Sequence, residues 1–210
     1  MIYIRKIQQD SKDKGVSRNK ELHKTAHELL QYAVEQEYKE KVNKLTMRRF
    51  QHGKPYFAEK RENDEEVLSE IKFNLSHSGE MAVCILTKNE VGIDIEKMRK
   101  YNPKVANKIL SDEEWEILQK SEQKDKDFIK FWTLKEAYGK YTGKGLGMDF
   151  KQIKFCWQED GRIGCSDEKV LLYQYEIEQE YILSVCVERK EHWQEEKIMF
   201  VNKREEQYGL

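Results

Sequence analysis

A chain of 210 residues, 38% hydrophobic and 37% charged, has room for one large domain or two halves, each with a modest core under a well-solvated surface. Its 38 Lys and Arg nearly balance 39 Asp and Glu, which argues against the basic footprint of a duplex nucleic-acid binder. The longest apolar run, Met81–Leu86, is far short of a membrane span, and Cys84, Cys156, Cys165 and Cys186 lack the paired spacing of a zinc or disulfide framework.

The chain begins with an alternating segment, M-I-Y-I-R-K-I, that reads as a strand and not as a signal peptide. The expectation is a reduced, cytoplasmic protein with no nucleic-acid or membrane partner. Apolar residues at Leu22, Ala26, Leu29, Leu30, Ala33, Val34 and Tyr38 predict an amphipathic helix over 18–38. G-K-P at Gly53–Pro55 marks a turn, and the charge-crowded stretch 59–70 reads as an exposed loop or short solvated helix. Lys72–Leu75 leads into an S-H-S loop. Two strands follow, 81–86 and 90–96, turning at Lys88-Asn89 as a hairpin.

The division between halves is placed at 98/99, within the stretch 97–103 that carries one of the two prolines. Ser111 and Glu114 have capping-box spacing and open a helix through Trp115 and Leu118. The main helix of the second half runs over 127–141 and stops near Gly143. Strand-like runs follow at 153–157, 170–177, 181–187 and 198–201. Each half therefore reads as one long helix on a small antiparallel sheet, an α+β architecture compatible with a pseudo-twofold repeat.

Three constellations carry chemistry. In V-G-I-D-I-E, strand alternation places Gly92, Asp94 and Glu96 on one face and Val91, Ile93 and Ile95 on the other. Two carboxylates on one face repel each other unless a cation sits between them, and hard oxygen donors of this kind suit Mg²⁺. The bland alternative is a solvated edge strand with Lys97 as neighbour. In W-T-L-K-E-A-Y-G-K, Glu136 and Lys140 share a helix face with Trp132 one turn earlier, and Gly143, Gly145 and Gly147 follow. That pair reads as phosphate chemistry beside the strand carboxylates, or as an exposed surface pair. N-L-S-H-S offers hydroxyls and the imidazole of His77 to an anion. Lys24 and Thr25, with His23, lie early in the first helix, where amides can receive phosphate. Taken singly, a His in such a loop is more often structural than functional, and Lys54 reads equally as a solvated turn residue.

In this order, G-K-P, N-L-S-H-S, G-I-D-I-E and W-T-L-K-E-A-x-x-K with its trailing glycines resemble the 4′-phosphopantetheinyl transferases, over roughly 23–147. The length is similar to that of the surfactin-synthetase-activating branch, two-lobed and monomeric, rather than the branch of half-sized chains that trimerise. The resemblance implies Mg²⁺-dependent (or Mn²⁺-dependent) transfer of the 4′-phosphopantetheine arm of coenzyme A to a serine of an apo acyl or peptidyl carrier protein. The by-product is adenosine 3′,5′-bisphosphate, and the active site lies between the halves.

By motif match, Asp94, Glu96 and Glu136 would ligate the metal; Glu136, with Glu96 as rival, would take the serine proton; Lys140 would meet the leaving phosphate. Lys24, Thr25, Lys54, Ser76, His77, Lys135 and Lys140 would contact coenzyme A, and Met98, Arg99 and Lys100 are the candidates for carrier docking. Two departures stand out. The family's basic cluster for the 3′-phosphate has no clean counterpart among Lys12, Lys14 and Arg18, and 58–72 is longer and more acidic than usual. A Mg²⁺-dependent phosphodiesterase, or a module that only binds coenzyme A or a carrier, uses much of the same equipment and remains an alternative.

Overall fold

The computed structural model describes residues 1–7, 18–51, 53–190 and 197–202, and every element below belongs to them. Mixed α and β elements divide the chain into two compact units, Met1–Glu90 with the C-terminal segment from Glu196, and Val91–Glu195. The division falls after Glu90 rather than at 98/99, so the V-G-I-D-I-E strand belongs to the second unit.

In the first unit, β1 (Ile2–Lys6) precedes α1 (Arg18–Glu37), whose stripe of Leu22, Ala26, Leu29, Leu30, Ala33 and Val34 is buried. The hairpin β2 (Leu45–Arg49) and β3 (Pro55–Lys60) turns at Gly53, where φ is +86°, and β4 (Glu66–Leu68) adds a third strand. The stretch read as a loop or short helix is thus the β3–β4 hairpin. Its strands show little apolar alternation because their solvent side carries charge, with Arg48 gripping Glu66 at 2.7 and 3.2 Å.

β5 (Lys72–Ser78) and β6 (Met81–Thr87) form a tight hairpin over Gly79-Glu80, with Gly79 at φ +61°. The S-H-S residues are therefore strand, not loop. Tyr3, Leu29, Leu30, Ala33, Phe57, Phe73 and Leu86 form this unit's core, each large side chain contributing about 1.5–3 kcal/mol by leaving water.

The second unit opens on β7 (Val91–Lys97). It does not pair with β6 as the predicted hairpin requires: both edges of β6 are taken, by β1 and β5. Then come α2 (Pro103–Ile109), with Asn102 as N-cap and Pro103 in its first turn, and α3 (Asp112–Lys120). The capping box at α3 forms as predicted: Ser111 Oγ accepts from the Glu114 amide at 3.3 Å and Glu114 Oε2 from the Ser111 amide at 2.9 Å.

The long helix α4 (Lys124–Thr142) ends on Gly143 in the left-handed region, φ +74°. The short pair β8 (Phe155–Trp157) and β9 (Ile163–Cys165) precedes the hairpin β10 (Val170–Ile177) and β11 (Tyr181–Glu188). β11 pairs antiparallel with β7, Ser184 opposite Asp94 and Ile182 opposite Glu96, giving a sheet ordered β10-β11-β7. Helix α4 covers it, packing Phe128, Phe131, Leu134 and Ala137 into a core with Leu172, Ile182 and Cys186. The last strand, β12 (Ile198–Phe200), returns to the first unit and lies parallel to β1, not with the second half as expected; that unit's larger sheet is ordered β12-β1-β6-β5. No described helix is long and apolar enough to cross a membrane.

Candidate functional site

The alternation read from the sequence holds in β7: Val91, Ile93 and Ile95 are buried, while Asp94 and Glu96 stand on the face that α4 crosses. Gly92 makes the crossing possible, because a β-carbon there would lie 2.0 Å from the Ala137 carbonyl oxygen. With helix and strand in backbone contact, the side chains two and four residues along β7 meet those projecting from the α4 turns around Ala137.

Lys140 donates from Nζ to Asp94 Oδ1 at 2.7 Å and to the Ile93 carbonyl at 3.1 Å. Glu96 accepts at Oε1 from the Trp132 indole at 3.0 Å, and Arg99 grips both its oxygens, at 2.6 and 3.3 Å. Glu136 lies within the same field. Burial pushes its carboxyl pKa up to about 7, the negative charges of Asp94 and Glu96 push the same way, and Lys140 opposes them. Beneath α4, Thr133 and Ser184 share a 2.7 Å hydrogen bond that Gln174 completes from β10, fixing the helix over the sheet.

Asp94, Glu96, Glu136 and Lys140 are thus brought to one face of the second unit. The three carboxylates are not drawn around a common point: among the described residues no group of three or more His, Cys, Asp or Glu is placed to hold a metal ion. The physical reason is visible in their partners, since Lys140 takes Asp94 and Arg99 with Trp132 takes Glu96. The donor set nonetheless fits a hard cation. Burial, and then the charges of Asp94 and Glu96, raise the proton affinity of Glu136, so this face favours added positive charge, and its oxygen donors match a divalent ion of the Mg²⁺ class.

Lys135 corrects an expectation. It is 0% exposed, its ammonium lies 2.6 Å from Glu114 and it donates to the carbonyls of Phe150 and Ile153. With three acceptors around it inside the core of its unit, it is a structural ion and not a coenzyme A contact. Burial lowers its pKa, with Glu114 opposing the shift. The signal was present in the sequence: Lys135 continues the spacing of Phe128 and Phe131 on the buried stripe, and Glu114 of the capping box is its partner.

The other expected ligand contacts belong to the first unit. Lys24 is exposed and pairs with Glu28 at 3.4 Å, whereas Thr25 is buried. Ser76 is buried on β5, opposite Val83, and His77 follows it. The His23 ring lies 4.5 Å from that of His27 and 6.4 Å from that of His77, so the first turns of α1 and the end of β5 are neighbours. Lys54 sits after the Gly53 turn and pairs with Glu90 at 3.3 Å, as does Lys72. Arg18 pairs with Glu80 at 2.8 Å, while Lys12 and Lys14 lie outside the described residues.

Sequence reasoning missed three contributors. Gly92 was seen only as a member of a strand face, Trp132 only as a neighbour of Glu136 and Lys140 on the helix, and Arg99 as a docking residue; each acts at Asp94 or Glu96 through packing or hydrogen bonding.

Comparison with known proteins agrees with this layout. Residues 90–186 match the 4′-phosphopantetheinyl transferase superfamily, and residues 5–89 match a family described as 4′-phosphopantetheinyl transferase, N-terminal. A 4′-phosphopantetheinyl transferase of Bacillus subtilis is 31% identical over 142 residues, covering 65% of this chain and 60% of that one. The 4′-phosphopantetheinyl transferase Sfp of Bacillus subtilis strain 168 is 26% identical, over 75% of this chain and 70% of its own. The 4′-phosphopantetheinyl transferase gsp of Aneurinibacillus migulanus is 30% identical, over 68% of this chain and 58% of its own. The chain spans 60% of the length of the first of these relatives.

Proposed function

Because this chain belongs to the 4′-phosphopantetheinyl transferase superfamily, we propose that it transfers the 4′-phosphopantetheine arm of coenzyme A to a serine of an apo acyl or peptidyl carrier protein. The observation that carries the reading is the convergence of Asp94, Glu96, Glu136 and Lys140 on one face between β7 and α4. The serine oxygen forms a bond to the pantetheine-bearing phosphorus of the pyrophosphate. The phosphorus–oxygen bond to the nucleotide half breaks, and adenosine 3′,5′-bisphosphate leaves.

Each side chain has a part in that exchange. Glu136 takes the serine proton, with Glu96 as the alternative acceptor; without a metal, burial and the charges of Asp94 and Glu96 raise the proton affinity of Glu136. Lys140 places a positive charge where the departing phosphate gathers negative charge. Asp94, Glu96 and Glu136 would hold Mg²⁺, with Mn²⁺ as a substitute. Bound there, such an ion offsets the charge of the pyrophosphate during displacement. Lys24, Thr25, Lys54, Ser76 and His77 are proposed to seat the nucleotide.

The test is incubation with coenzyme A, Mg²⁺ and a panel of apo carrier proteins, read by intact mass. Gain of one phosphopantetheine on a carrier supports transfer. Release of adenosine bisphosphate at the same rate without any carrier would replace transferase by phosphodiesterase, and binding without turnover would leave a binding module.

A further inference from the structure

Two very different side chains hold the Glu96 carboxylate, Trp132 at Oε1 and Arg99 at both oxygens. Trp132, on α4, is anchored by packing against Phe128 and Phe150, each with ring centroids 6.4 Å away, and its indole N–H fixes Oε1. Arg99 lies beyond the end of β7, outside any helix or strand, with its side chain 53% exposed, yet it makes the shortest contact, 2.6 Å to Oε2. One partner is built into the fold and the other sits on a surface segment that solvent reaches.

We propose that Arg99 is a displaceable internal counter-cation, which occupies Glu96 until a divalent ion takes its place and so sets how tightly this face binds that ion. The inference rests on the reading of Asp94, Glu96 and Glu136 as metal ligands. Displacement falls on Arg99 rather than on Lys140 for a geometric reason. Lys140 is only 26% exposed and also holds the Ile93 carbonyl, whereas Arg99 is 53% exposed and its carboxylate is a neighbour three residues away. Glu96 is only 17% exposed, but the guanidinium, on a side chain 53% exposed, is rehydrated by solvent as it leaves, while a divalent ion brings twice its charge to the same carboxylate. Trp132 acts in the opposite direction: by keeping Oε1 in place it holds the carboxylate turned toward α4 when Arg99 leaves. Arg99 and Trp132 are positioning residues for Glu96, and their removal has opposite signs.

The test is Mn²⁺ binding to the full chain without coenzyme A, followed by the electron paramagnetic resonance of free Mn²⁺. Arg99→Ala and Arg99→Gln should tighten binding by about two- to fivefold, the worth of a partly exposed ion pair. Trp132→Phe should weaken it, and Asp94→Asn and Glu96→Gln should abolish it. If the carboxamide variants lose Mn²⁺ but both Arg99 variants bind no more tightly than wild type, the inference fails while the metal-site reading stands. If the carboxamide variants bind Mn²⁺ unchanged, the ion sits elsewhere and both fail. Binding seen only in the Arg99 variants supports the inference, and binding seen in none of the proteins overturns it. A merely structural role for Arg99 predicts weaker binding on its removal, the opposite of the expected result.

Discussion

A β-carbon on Gly92 would stand 2.0 Å from the carbonyl oxygen of Ala137 and 2.4 Å from the amide nitrogen of Tyr141. Both obstacles are helix backbone, so neither swings aside as a side chain does. Gly92→Ala therefore has to lift α4 off β7. The expected cost is about 1–3 kcal/mol or more, a fall in Tm of roughly 3–10 °C, with loss of transfer because Glu136 and Lys140 move with the helix. A variant with wild-type Tm and wild-type transfer contradicts the close packing.

Glu136 should make stability depend on pH in a specific direction. Its pKa is raised from 4.5 to about 7 by burial and by Asp94, so the folded chain holds this proton more tightly than the unfolded chain does. The group thus opposes folding above pH 7, and that opposition disappears as pH falls through the folded pKa toward 4.5. Glu136→Gln should raise Tm relative to wild type at pH 8, with a much smaller gain at pH 5, in metal-free buffer. Equal gains at both pH values would show that the carboxyl is not strained by its surroundings.

Lys135 and Glu114 form a buried pair at 2.6 Å with 0% and 1% side-chain exposure. Removing one partner strands the other charge in the core, so Lys135→Met is expected to cost about 3–5 kcal/mol. Combining it with Glu114→Gln should cost less than the sum of the two single changes. A stable Lys135→Met protein that only loses affinity for coenzyme A would restore the ligand role assigned from sequence.

Lys140→Ala should lower kcat by about two orders of magnitude, the typical cost of losing one preorganised charge from a transition state, with partial recovery in Lys140→Arg. Steady-state kinetics on an apo carrier protein measure both. An unchanged kcat with a raised KM for coenzyme A would make Lys140 a binding residue only.

What could be read in advance follows the range of the interactions. Alternation in β7 placed Asp94 and Glu96 on one face, because side-chain direction in a strand is a local property. The Ser111–Glu114 box was equally local. The partner of β7 was not: Val91–Lys97 pairs with Tyr181–Val187, far along the chain, and nothing between Leu86 and Val91 distinguishes a hairpin turn from a passage between units. The β3–β4 hairpin was hidden because its charged residues pair across strands and mask the apolar period. Lys135 was misassigned by type; its position on the apolar stripe of α4 was better evidence than its charge. Arg99 and Trp132 were visible as residues, but their hold on Glu96 depends on the meeting of β7 and α4.

The most direct test compares wild type and Glu136→Ala on one apo carrier protein, with coenzyme A and Mg²⁺, following the carrier's intact mass over time. The expected result is phosphopantetheine addition by wild type and at least about a hundredfold slower addition by the variant, whose melting remains cooperative. Near-equal rates, or no addition by wild type to any carrier tried, would contradict transfer at this carboxylate face.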